Sequence, residues 1–504
     1  MKLFCVGHSF RYELENLIRV FLPGEKVVVC RLFRLVRGAR GGVLRPRRGG
    51  RITASSCLTV LTAAAQRPVI RAVISGRNTA ATPTYTLSSA AEAELAIAKL
   101  VYVLLRETTG YTPPWGLLTG VRPSKLMLKL RREMGSIAAY RDFTNRLWVT
   151  PAKAALAAAV AAAEEPLIEM TRANTFSLYV GIPFCPTRCS YCSFVSHSIG
   201  TPEAKKLIAP YLEKLEEEIC RTAEIADRLG LQLASVYIGG GTPTTLSAEQ
   251  LERLLKQITA CFGAGAENEF TVEAGRPDTI TREKLDALRG KRISINPQTM
   301  HDSVLEAIGR KHTAVLAVEC YHMAREMGFT QINMDLIAGL PTDTAEGFAD
   351  SVRQVAALRP ENVTVHTLAL KRSSVLKATA DPFRGAQEIA AMLQSAEETL
   401  SAAGYRPYYM YRQSASLGNF ENIGRTLPGH ICRYNIDMME ETHTILACGA
   451  GAVTKLVGQT HAEDEPSGPP LLRVFNYKYP YEYISRFGEL MERKKQITDF
   501  YLTR

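Results

Sequence analysis

Three cysteines stand on one short stretch, Cys185, Cys189 and Cys192, with the spacing C-x3-C-x2-C. Thiolates placed this way on one loop can ligate three irons of a [4Fe–4S] cube and leave the fourth iron open to a small molecule. Two other chemistries use similar spacings. Cys189-Ser190-Tyr191-Cys192 alone fits a redox dithiol. A zinc site would need a second ligand pair, and none lies nearby in the sequence. The trio directly follows an apolar strand-like run, Ser177–Pro183. In βα barrels the chemistry gathers at such carboxyl strand ends.

Further polar or glycine-rich positions stand at the ends of later strand-like runs. Gly239-Gly240-Gly241-Thr242-Pro243 lets backbone approach a ligand closely and offer its N–H and C=O groups. Glu273 ends an apolar alternation, Gln298 follows Asn296-Pro297, and Asp335 interrupts the apolar run Asn333–Leu340. An acid inside an apolar strand needs a partner or a ligand. Arg310 lies beyond the helical material after Gln298. Each residue alone reads as structural. Together they line one barrel mouth, where a ligand with amine, carboxylate and ribose hydroxyls would use them.

The elements that must hold these residues alternate. Strands are expected at Ser177–Pro183, Ser235–Ile238, Glu269–Ala274, Arg292–Asn296, Gln331–Ile337 and Asn362–Leu368. Helices are expected between them, at Glu203–Leu229, Ala248–Cys261, Arg282–Leu288, His301–Met327 and Ala345–Leu358. Six strands in such alternation predict a parallel α/β sheet or barrel over residues 174–375. Residues 1–150 predict an α/β module, with strands Lys2–Val6 and Lys26–Leu32 and helices Tyr12–Phe21 and Ala90–Glu107. Residues 151–173 read as an alanine-rich helical linker, and residues 376–504 as a separate, mostly helical domain.

The chain has 504 residues, 46% apolar and 22% charged, which fits about three globular domains and excludes a disordered chain or a small disulfide scaffold. Its formal charge of +11 is local: residues 1–51 hold twelve basic and three acidic groups, a net of +9, and leave +2 to the rest. That stretch lacks the interleaved aromatics of a base-stacking surface, which argues against a nucleic-acid partner. No apolar run is long enough for a membrane span, and Met1–Val6 does not open a signal peptide. Eleven cysteines, mostly scattered, predict free thiols in a reducing, cytoplasmic compartment.

The C-x3-C-x2-C trio followed by Gly-Gly-Gly-Thr-Pro resembles radical S-adenosylmethionine (SAM) enzymes of the oxygen-independent coproporphyrinogen III oxidase group, over roughly Ser177 to Leu370. Pro407–Gln413, Gly418–Asn422, Gly449–Ala452 and Pro114–Pro123 are similar to the coproporphyrinogen dehydrogenase branch of anaerobic bacteria. The resemblance implies a partial (β/α)6 radical SAM barrel, with Cys185, Cys189 and Cys192 as ligands of a [4Fe–4S] cluster. Tyr179 and Tyr191 match positions flanking SAM and the cluster. Gly240, Gly241, Thr242, Glu273, Gln298, Arg310 and Asp335 match SAM contacts. It further implies reductive cleavage of SAM to a 5'-deoxyadenosyl radical and decarboxylation of two propionates of coproporphyrinogen III to vinyls. The implied partners are the porphyrinogen and a reducing protein such as a flavodoxin or ferredoxin.

One position departs from the decarboxylase pattern and another from the haem-chaperone pattern. Phe194 stands where those enzymes carry a fourth Cys, a position the haem-chaperone branch also lacks. That branch tends to carry Arg-His-Asn where this chain has Arg433-Tyr434-Asn435. A haem chaperone and a radical SAM tRNA-modifying enzyme are therefore the competing expectations. Against the first stand Tyr434 in place of His and the scattered histidines (His197, His301, His312, His322, His366, His430 and His443); the second is motivated by the basic stretch, which lacks interleaved aromatics.

Overall fold

The computed structural model describes residues 2–6, 11–22, 28–32, 57–62, 70–74, 77–78, 90–194, 196–265, 268–370, 376, 382–413, 416–458 and 471–502. The Arg/Gly-rich stretch Arg37–Arg51 and the polar loop His461–Pro470 lie outside the described residues. The chain forms two compact units. One comprises Met1–Val121, Leu130–Ala155 and Ala378–Phe383, the other Arg122–Lys129, Leu156–Lys377 and Arg384–Arg504.

The first unit carries a five-stranded sheet in the order Val28–Leu32, Lys2–Val6, Cys57–Thr62, Ile70–Ile74, Arg77–Asn78. The apolar spacing of helices Arg11–Phe21 and Ala90–Thr109 makes one stripe on each. Leu14, Leu17, Ile18 and Phe21 share a buried cluster with Ile97, Val101, Tyr102 and Leu105. Each such side chain contributes about 1.5–3 kcal/mol when fully buried.

The second unit is built on one sheet of eleven strands. These are β1 (Thr175–Ile182), β2 (Gln232–Gly240), β3 (Glu269–Gly275), β4 (Arg292–Gln298), β5 (Ile332–Ala338) and β6 (Asn362–Thr367), followed by β7 (Arg406–Arg412), β8 (Glu421–Thr426), β9 (Thr444–Cys448), β10 (Val453–Val457) and β11 (Leu471–Phe475). Their order is β7-β8-β6-β5-β4-β3-β2-β1-β9-β10-β11. Strands β1 to β6 are parallel neighbours, as the βα alternation predicts, and form the partial (β/α)6 barrel. Its helices start where Ser or Thr caps them. Ser247 and Gln250 make a reciprocal capping box, and Thr281, Thr313 and Thr344 each accept an N–H three residues on.

Three details differ from the sequence reading. Residues 376–504 do not stand apart as a mostly helical domain. Strand β8 pairs antiparallel with β6, and β9 adds a seventh parallel strand beside β1, so this segment extends the barrel sheet at both edges. Pairing with partners so distant in sequence leaves no local periodicity to read. The material 301–327 breaks into helices Asp302–Ala307 and Ala314–Glu326, and the loop between them carries Arg310. The material 203–229 likewise divides into Pro202–Lys205 and Ile208–Arg228.

Side chains alternate across each parallel strand. Val236, Ile238, Val272, Ala274, Ile295, Met334, Leu336 and Val363 are completely buried. The intervening Tyr237, Glu273, Asn296, Asn333, Asp335 and His366 remain partly accessible. The barrel therefore has a packed outer face and an open, polar interior.

Candidate active site

The cysteine loop leaves β1 at Ile182. A two-residue ladder, Phe184–Cys185 against His197–Ser198, fixes its first turn. Cys185 and Cys189 are buried, Cys192 is half-buried, and all three are free thiols. A thiolate at Cys189 disfavours ionisation of Cys185, and thiolates at Cys185 and Cys189 disfavour that of Cys192. Burial raises the Cys185 thiol and pushes Cys192 up to about 11. Among the described residues no three His, Cys, Asp or Glu converge enough to hold a single metal ion. Three ligands of a cube each bind a different iron and stand further apart than the ligands of one zinc. Three free thiols on one loop at the end of β1 match the three protein ligands of a cluster with one open iron.

The glycine turn after β2 packs directly on this loop. A Cβ on Gly241 would fall 2.5 Å from the Phe184 carbonyl oxygen, so only glycine fits without moving backbone. Gly240 has φ 111°, in the region that glycine alone enters freely. The expectation that this turn presents its N–H groups to a ligand needs correction. The Gly241 and Thr242 amides donate to the Ile182 and Phe184 carbonyls, each at 2.7 Å, and the Gly240 amide donates to the Glu273 carboxylate. The turn is left with carbonyl oxygens, which suit an amine. The Thr242 hydroxyl lies 3.4 Å from Cys185 Sγ and so touches the cysteine loop itself.

The other anticipated residues surround the same space. Glu273 accepts a hydrogen bond from Tyr237 Oη at 2.6 Å. Burial, opposed by that bond and reinforced by nearby Asp335, raises its carboxyl to about 7. Tyr179 stacks on Tyr237 with ring centroids 6.4 Å apart. Asp335 accepts from Asn333 Nδ2 at 2.7 Å and lies 3.6 Å from His366 Nε2. Arg310 is buried, donates to the Asn296 carbonyl at 2.6 Å and contacts Tyr191 and Cys189. Gln298 has φ 72°, and its buried Oε1 has no partner among the described residues; nor has Arg310 Nε. Orphaned groups of this kind beside an open interior are what a polar ligand would complete.

Sequence reasoning missed several contributors. Tyr237, Asn333 and His366 alternate with buried apolar neighbours, so their period-2 spacing could have shown them. Arg276 and the barrel floor had no such signal. Residues 430–443 run beneath the amino ends of the parallel strands. Glu269 at the start of β3 accepts the Arg433 and Tyr434 amides at 2.8 and 3.0 Å. Arg292 at the start of β4 donates to the Ile431 carbonyl, and Asn362 at the start of β6 to the His430 carbonyl. His443 meets Ser177 of β1. Tyr434 stands on this floor and stacks on Tyr237 at 4.4 Å. The interior is thus stoppered at its amino end.

A family model described as the radical SAM superfamily matches residues 179–355. The chain is 38% identical over 403 residues to the oxygen-independent coproporphyrinogen-III oxidase-like protein HemZ of Bacillus subtilis, covering 78% of each. It is 36% identical over 203 residues to the heme chaperone HemW of the same organism, covering 40% of this chain and 52% of that one. It is 36% identical over 196 residues to the oxygen-independent coproporphyrinogen III oxidase of Escherichia coli, covering 38% and 42%. The family's cofactors are a [4Fe–4S] cluster and SAM, and the three free thiols of one loop, the glycine cradle and the orphaned Gln298 and Arg310 atoms fit both. The chain belongs to the radical SAM superfamily, among the coproporphyrinogen oxidase-like proteins that include HemZ.

Proposed function

We propose that this protein decarboxylates two propionates of coproporphyrinogen III to vinyl groups, giving protoporphyrinogen IX. The observation that carries this is the likeness to an oxidase-like protein along 78% of both chains. In this reading Cys185, Cys189 and Cys192 hold the cluster. Gly240, Gly241, Thr242, Gln298, Arg310 and Asp335 hold SAM. When bound, these cofactors supply the hydrogen-abstracting chemistry; the chain supplies position and exclusion of water. The Tyr179, Tyr237 and Tyr434 rings stack on one another and give the interior an aromatic wall beside which a tetrapyrrole can lie. Glu273, raised to about 7, can hold or release a proton near neutrality. Each decarboxylation takes in one electron to cleave SAM and gives up one from the substrate with loss of CO2, so a reducing protein such as a flavodoxin or ferredoxin supplies the first and an acceptor takes the second.

Phe194 favours a second reading. It is 70% exposed just after Cys192, where the decarboxylases carry a further thiol. A haem chaperone on this fold would bind haem stoichiometrically. Several histidines are otherwise occupied: His301 meets the Gly347 carbonyl, His430 meets Gln331, and His443 meets Ser177. His366, in the interior beside Asp335, is the candidate haem ligand. No helix among the described residues is long and apolar enough to cross a membrane, so neither reading calls on a transmembrane anchor there.

The test is anaerobic incubation of the reconstituted, reduced protein with SAM and coproporphyrinogen III, read by mass spectrometry. Divinyl product is expected. SAM cleavage with the porphyrinogen unchanged, together with one-to-one haem binding lost in His366→Ala, would replace this reading with the chaperone.

A further inference from the structure

Arg276 follows β3 and turns back beneath the cysteine loop. Its side chain is 3% exposed, and Nε and Nη2 fork onto Asp278 at 2.9 and 2.7 Å. The remaining nitrogen, Nη1, donates to Thr187 Oγ1 at 2.7 Å and to the Thr187 carbonyl at 3.2 Å, and it lies 3.8 Å from Cys189 Sγ. One guanidinium therefore grips the loop between two of the three cysteines and places a positive charge against one of them. Burial raises the Asp278 carboxyl, but the Arg276 fork outweighs it and holds the group below its ordinary range. Two other groups face the pair. Arg310 also contacts Cys189. His312 is held down to about 4 by burial and by Arg310, so it is neutral near pH 7. The buried charges that reach Cys189 from the barrel thus include the Arg276 and Arg310 guanidiniums, with Asp278 paired to the first, while Arg188 stands beside it on the loop.

We propose that Arg276 is a positioning residue that sets the reduction potential of the cluster, with Asp278 as its counterweight. This rests on the reading that the three cysteines hold that cluster. A cluster on three thiolates is anionic and gains a further negative charge on reduction. A buried cation favours the reduced state and a buried anion opposes it, and both act strongly where water is excluded. Arg276 and Asp278 should therefore pull in opposite directions.

The full-length chain and its R276Q, D278N and R276K variants would be reconstituted anaerobically. Iron and sulfide per chain are measured first, then midpoint potential by redox titration followed by electron paramagnetic resonance. R276Q is expected to shift the equilibrium at least about tenfold against reduction, or 59 mV for one electron. D278N is expected to shift it towards reduction, and R276K to stay close to the parent. Same-sign shifts in R276Q and D278N, or no shift in either with full iron loading, would overturn the proposal. Should R276Q fail to load, D278N and R276K decide: no shift towards reduction in D278N, or a large shift in R276K, also overturns it. Failure of the underlying reading appears separately, as a parent chain whose iron content is unchanged when all three cysteines are replaced.

Discussion

The two ends of the barrel are built in different ways. At the carboxyl mouth the parts are local: a cysteine loop, a glycine turn and single polar residues, each at the end of its own strand. At the amino floor they come from residues 430–443, more than 130 positions beyond β4, stitched to the starts of β1, β3, β4 and β6. Both ends keep buried polar atoms without partners among the described residues, at Gln298 and Arg310 in the mouth and at Arg292 and Tyr434 on the floor. The floor commits its carboxylate, Glu269, to two backbone amides. On the function proposed above, the mouth with its cysteine loop and glycine turn is the ligand end, and the floor with its bonds to four strands holds the sheet in shape. Damage to the mouth should therefore remove chemistry and spare the fold, and damage to the floor should do the reverse.

The largest effect is expected for Cys189→Ala. Cluster iron and SAM cleavage should both be lost while the thermal melting of the chain without cofactors stays close to the parent; a large drop in melting temperature would blur the distinction. Gly241→Ala comes next. Its Cβ meets the Phe184 carbonyl at 2.5 Å, so the turn and the cysteine loop must separate. A loss of about 1–3 kcal/mol is expected in denaturant unfolding, with reduced iron loading. Glu269→Ala tests the floor. It leaves two helix-start amides without their acceptor and should cost about 1–2 kcal/mol, with iron loading per folded chain unchanged. The smallest effect concerns pH. Glu273 titrates at about 7 in the fold against an ordinary 4.5, so the folded chain holds a proton that the unfolded chain has released between those values. Stability without cofactors should fall as pH rises from about 4.5 to 7, by under about 1 kcal/mol given the group's partial exposure. Glu273→Gln should flatten that slope, as seen in melting curves across the range.

The same contrast explains what could be read in the sequence. The six parallel strands announce themselves through apolar runs alternating with helix-length segments. Cys185, Cys189, Cys192, Gly240 and Gly241 stand in motifs whose spacing encodes their geometry. Tyr237 and His366 were within reach, since their neighbours Ile238 and Val365 are buried and alternation puts them on the opposite face. Strand β9 and the floor were not. A Glu at a strand start gives no hint that it will cap a helix about 165 residues later. Arg276 is similarly silent, because its worth depends on Thr187 and Cys189 folding over it. In the glycine turn the residue types were legible, but the use of their amides was settled by packing against Ile182 and Phe184.

The central claim is that one stoppered barrel holds SAM and a porphyrinogen together for decarboxylation. The ratio of 5'-deoxyadenosine to vinyl groups formed under anaerobic, reducing conditions tests it most directly. The account predicts one 5'-deoxyadenosine for each propionate converted, with the monovinyl product appearing before the divinyl one. Sustained 5'-deoxyadenosine formation that does not change when coproporphyrinogen III is added, and that yields no vinyl groups, would contradict it.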